Sequence, residues 1–180
     1  MLTAPQKVDF RVFLDQIESE RLRAVALAWD QARAGATMPS FSALRPAAIA
    51  AQLPIIWVFA YDRTSRRFTG RLAGERIAQA FNKNFRGIAL EDVHPPHLLD
   101  WIHAGMSRVV LEPCCYRSGG ALFRKTGQTG IGERIMLPLA DDGVHGDGVL
   151  GASDYELPGG NAVDGPIELI SDDERWFSLG

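Results

Sequence analysis

The run Ile55-Ile56-Trp57-Val58-Phe59-Ala60-Tyr61 constrains this chain more than any other stretch. It is continuously apolar, rich in β-branched and aromatic residues, and bounded by Pro54 and the polar turn Asp62-Arg63-Thr64-Ser65, so it reads as a strand. Side chains alternate across a strand, so this one is apolar on both faces. The sheet that holds it must therefore be covered on both sides. The N-terminal segment is the available candidate for the second cover.

That segment predicts a helix from Phe10 to Ala34, free of Gly and Pro, with Gly35 as its stop. Leu22, Val25, Trp29 and Ala32 form an apolar seam along its second half. Such a seam fits two arrangements, a helix lying on its own sheet or a helix meeting a second copy of itself. Val12 and Leu27 lie off the stripe. We expect a homodimer that uses Leu22, Val25 and Trp29, or the sheet face they cover.

Downstream, Ser40 to Gln52 suggests a linker and a short helix that takes Pro46 at an early position and stops at Pro54. Arg67 to Ala73 is the returning strand, and Gly74 begins a short helix, Glu75 to Phe81, that ends at Asn82. Pro95 and Pro96 open a longer helix to about Leu111, with Leu98, Ile102, Met106 and Val109 as its core stripe. Three strands follow, Cys114 to Lys125, Gly130 to Leu139 and Gly148 to Tyr155. Two strands, then helices, then a three-strand meander is an α+β order and not a doubly wound one. The expected organisation is a helical extension at 1–39, a domain at 40–158 and an acidic, mobile tail at 159–180, although Trp176, Phe177 and Leu179 could dock.

The chain has 180 residues, 46% of them hydrophobic, enough for a full core without staples. Its two cysteines, Cys114 and Cys115, are adjacent and cannot cross-link a fold, which fits a reducing compartment. No apolar run approaches the ~18 residues of a membrane span, and the N-terminus lacks a leader pattern. A cytoplasmic location is therefore expected. Residues 154–180 carry seven acidic side chains and one basic one, while residues 1–153 hold 18 basic and 15 acidic. That mild basic excess argues against nucleic acid as a partner.

The order of elements is that of a PAS domain. Trp29-Asp30-Gln31-Ala32-Arg33, Leu53-Pro54, Arg71-Leu72-Ala73-Gly74, Phe81 through Phe85-Arg86-Gly87, and Met136-Leu137-Pro138-Leu139 together make the resemblance more specific. The chain resembles a bacterial, mostly alphaproteobacterial, family of stand-alone PAS proteins once listed as a domain of unknown function. Arg45-Pro46 stands where that family usually has Asp-Pro, and Asn82 where it usually has Gly. The resemblance implies a five-stranded antiparallel sheet with helices on one face and the N-terminal helix on the other. It further implies a sensory or regulatory module, without naming a ligand or cofactor.

Trp57, Phe81, Trp101 and His103 are the candidate lining of a pocket. His103 neighbours Leu99, Met106 and Val110 at helical spacing, and PAS domains that hold haem often use a histidine from this helix. A buried structural histidine has the same pattern, so the cofactor stays open. His94 and His97 lack a third ligand at convincing spacing for a metal. Cys114 and Cys115 point to opposite faces with no histidine beside either, which argues against a nucleophile. Arg71 sits mid-strand and needs an anionic partner, either Glu133 or Asp92 in an ion pair or an anionic ligand.

The expected function is a non-catalytic sensory module that binds a small molecule and signals through an unknown partner protein, since no effector segment follows. An adaptor with a filled core and no ligand is the alternative.

Overall fold

The computed structural model describes residues 10–160 and 165–180. The N-terminal helix is interrupted. Helix α1 (Phe10–Gln16) and helix α2 (Glu20–Arg33) meet at Ile17-Glu18-Ser19. Ser19 is the N-cap of α2, its Oγ accepting from the Leu22 N–H at 3.2 Å. Backbone N–H groups of Glu18 and Ser19 both donate to the Glu133 carboxylate at 3.0 Å. The break is thus held from a strand far away in sequence. At its other end α2 stops on Ala34 in the left-handed region (φ 48°).

A short helix α3 (Pro46–Ile49) and a 3-10 turn over Ala50–Ile55 lead into β1 (Ile56–Asp62), which pairs with β2 (Arg67–Ala73). Gly74 follows because nothing larger fits: a Cβ there would lie 1.9 Å from the Leu53 carbonyl oxygen. This contact joins two of the segments that carry the family resemblance. Helix α4 (Glu75–Phe81) ends at Asn82, which is left-handed (φ 51°) as expected. Helix α5 (Pro96–Leu111) precedes the long strands β3 (Cys114–Lys125), β4 (Gln128–Leu139) and β5 (Gly148–Glu156).

All strands pair antiparallel, and the five expected strands lie in the order β2-β1-β5-β4-β3. Two more strands enlarge the sheet to seven. Strands β6 (Ile167–Leu169) and β7 (Asp173–Ser178) share the outer edge of β3, β6 on Phe123–Lys125 and β7 on Cys114–Gly119. This corrects the expectation of a mobile tail. The acidic composition conceals three apolar anchors that the sheet buries or half-buries, Ile167, Trp176 and Phe177.

Both faces of the sheet are covered, as the apolar β1 requires. On one face α1 and α2 pack Phe13, Leu22, Val25 and Trp29 against Ile56, Val58, Ile135, Leu137 and Leu150. Trp29 donates its indole N–H to the Pro138 carbonyl at 2.8 Å, tying two more of the family segments together. Leu22, Val25 and Trp29 are fully buried within the single chain. They belong to its own core and present no surface to a second copy, whereas Val12 and Leu27 stay 44% exposed. On the other face α4 and α5 cover Phe59, Tyr116, Met136 and Val149.

The candidate ligand cavity

Between α4, α5 and the second sheet face lies a cavity of about 320 Å³, at the lower end of small-molecule sites (~300–1,000 Å³). Its floor follows the register of the sheet. One row runs across four strands through Trp176, Tyr116, Met136 and Gly151, with Trp57 on β1 beyond them. The adjoining row is polar: Glu174, Ser118, Arg134 and Ser153. The roof is α5, with Trp101, Ile102, Gly105, Met106 and Arg108. Strand β7 closes one side. Trp176 lies 4.7 Å from the Tyr116 ring, and the Arg108 guanidinium sits 4.2 Å above the Trp176 ring.

Trp57, Phe81 and Trp101 line this cavity as the sequence suggested. Trp57 donates to Ser153 Oγ at 3.2 Å. Phe81 meets Phe85 and His94 edge-on at 5.2 and 5.5 Å. Trp101 is 42% exposed and stands at the rim.

His103 is turned away. Its Nε2 lies 2.7 Å from the Arg66 carbonyl and its Nδ1 3.2 Å from Ser107 Oγ, with Phe68 against the ring edge. The residues present therefore do not fit a haem held through His103. Arg71 is also outside the cavity. It is exposed on β2 with its guanidinium 4.5 Å over the Phe41 ring, and neither Glu133 nor Asp92 pairs with it.

Two residues that line the cavity were not singled out for it. His94 is 8% exposed, and burial, with Arg134 and Lys83 adding to it, pushes its pKa down to about 4, so the ring is neutral. Its Nδ1 is sealed from solvent without a hydrogen-bond partner. Arg134 is 6% exposed. It donates to the Leu122 carbonyl at 2.9 Å and the Ile170 carbonyl at 3.3 Å. The signal for Arg134 lay in strand alternation: Glu133 beside it points to the opposite face, so the two cannot neutralise each other.

Neither cysteine is poised for chemistry. Burial pushes the Cys114 thiol up to about 12 and Cys115 well above its ordinary value, so both stay protonated. No group of three or more His, Cys, Asp or Glu among the described residues could hold a metal ion. No helix among them is long and apolar enough to cross a membrane.

A family model described as a PAS domain matches residues 17–153. The chain belongs to the PAS domain family. The match starts at the break between α1 and α2 and stops within β5, so β6 and β7, which wall the cavity, lie beyond it. PAS domains are in general sensory and regulatory modules. No curated protein and no solved structure matches the chain.

Proposed function

We propose that this PAS domain is a non-catalytic sensor that binds a small molecule between its sheet and α5 and passes occupancy to a partner protein. The observation that carries this reading is the cavity itself. An adaptor with a side-chain-filled core would have no use for about 320 Å³ of apolar space walled by Trp57, Phe81 and Trp101.

A route for the signal is available in β7. Trp176 walls the cavity, and its neighbour Phe177 emerges on the opposite face, 5.4 Å from Phe13 of α1. A ligand that shifts Trp176 therefore bears on the N-terminal helices, whose outer residues Val12 and Leu27 are open to a partner. A homodimer would also have to form through these outer residues.

Native mass spectrometry of gently purified protein tests the reading. We expect a mass above that of the bare chain, lost on denaturation and lost when Gly105→Phe fills the cavity roof. A bare chain in every preparation, and no small molecule retained from a cell extract, would support the adaptor instead.

A further inference from the structure

Resting on the reading of this cavity as a ligand site, the contrast between two buried arginines identifies what kind of ligand it takes. Arg117 and Arg134 face opposite sides of the same sheet, and both are nearly sealed from water. Arg117 is surrounded by carboxylates: Glu133 at 2.7 Å, Asp173 at 3.1 Å and Glu18 at 3.8 Å. Arg134 has none. Among the described residues no carboxylate lies within 4.0 Å of it, and its two hydrogen bonds go to main-chain carbonyls. A guanidinium has five N–H donors and does not give up its charge. A lone charge in an apolar site is costly unless an opposite charge joins it.

The surroundings leave that opposite charge to a ligand. His94, the other buried titratable base on the wall, is neutral, so Arg134 is the charge inside the cavity. Glu174, at the exposed rim, accepts from Ser171 Oγ at 2.7 Å and the Tyr116 hydroxyl at 3.1 Å. Arg108 at the mouth is stacked on Trp176 and already paired with Glu112 at 3.9 Å, so it does not take the place of Arg134. Beside Arg134 across the strands stands Ser153, which accepts from Trp57 and keeps its own O–H to donate. The rest of the wall is apolar, with Phe59, Ile102, Phe123 and Met136 among its side chains.

We propose that the cavity takes a small monocarboxylate with an apolar body, its carboxylate paired with the Arg134 guanidinium and accepting from Ser153, and its hydrocarbon part lying between Trp57, Met136 and α5. The anion site expected at Arg71 is thereby assigned to Arg134.

The test is a matched set of probes, octanoate, 1-octanol and octylamine, titrated calorimetrically into the full chain. A charge-assisted hydrogen bond in a buried site makes octanoate about ten- to a hundredfold tighter than the alcohol. Octylamine, carrying the wrong charge, binds weakest. Arg134→Gln abolishes the preference for octanoate over octanol, and Arg134→Lys keeps part of it, with circular dichroism confirming that each is folded. The comparison within the natural chain stands even where Arg134→Gln fails to fold. Equal binding of octanoate and octanol overturns the carboxylate assignment and leaves the cavity as a ligand site. Failure of all three probes to bind overturns the ligand-site reading as well.

Discussion

Arg117 and Glu133 face each other from β3 and β4 at 2.7 Å, both nearly sealed from water, and the same carboxylate receives the backbone N–H groups of Glu18 and Ser19. One side chain thus neutralises a buried cation and fixes the point at which α1 turns into α2. Removing it leaves Arg117 with only the rim carboxylates of Asp173 and Glu18 and strips two donors of their acceptor. Glu133→Ala should cost about 3–5 kcal/mol in urea denaturation, the range for breaking a buried pair by deleting one partner. The double variant Arg117→Met/Glu133→Leu should be milder than the sum of its parts. Additive effects would mean that the pair is not coupled.

The C-terminal strands should be indispensable to the fold. Truncation after Pro158 uncovers the edge of β3, removes Phe177 from one core and Ile167 and Trp176 from the other. At ~1.5–3 kcal/mol per large buried side chain, the loss is about 4 kcal/mol or more, or roughly 8–16 °C in Tm at this size. An unchanged melting temperature would show that β6 and β7 are not docked in solution.

The sequence and the structure part company at identifiable places. The bounds of α5 and β3 are legible because Pro95, Pro96 and Pro113 punctuate them, and the double cover follows from one apolar strand. The break at Ile17-Glu18-Ser19 is invisible locally because its cause, Glu133, lies 115 residues from Glu18. The tail is hidden by its own average. Its charges dominate the composition, while Ile167, Trp176 and Phe177, spaced to meet two faces of a sheet, carry the docking. In the cavity, aromatic candidates are legible from the pattern, but the orientation of His103 is set by the Arg66 carbonyl, which no helical spacing reveals.

The buried His94 makes stability depend on pH in a defined direction. Its pKa is about 4 in the folded chain and ~6.5 when unfolded. Below ~6.5 the unfolded state takes up a proton that the native state refuses. Stability therefore falls as the pH drops from ~6.5 towards 4, and this contribution levels off once both states are protonated. The full effect is on the order of 3 kcal/mol. In His94→Phe the fall in urea midpoint between pH 6.5 and 4.5 should be smaller than in the natural chain. Parallel profiles would rule out a buried neutral ring.

The α2 seam should behave as core and not as interface. Val25→Glu places a carboxylate in a fully buried position and should cost more than about 3 kcal/mol. Leu27→Glu, on the exposed face, should change stability by less than about 0.5 kcal/mol. Sedimentation that finds Val25→Glu folded but dissociated would return that seam to a dimer interface.

Gly151 offers the most specific test of the cavity floor. It stands opposite Trp57 on β1 and Met136 on β4, and the Trp57 indole lies so close over it that a Cβ would fall 2.0 Å from the ring. That approach lets the indole N–H reach Ser153 across the sheet. In Gly151→Ala the added methyl must lift the ring, because the β5 backbone is pinned between β1 and β4 and cannot retreat. The hydrogen bond to Ser153 should break, the tryptophan emission should shift, and stability should fall by ~1–3 kcal/mol, as for other overpacked cores. Shortening the obstructing side chain should relieve the strain, so Trp57→Leu should cost less in the Gly151→Ala background than in the natural chain. Equal costs in the two backgrounds would mean that the indole does not lie over Gly151.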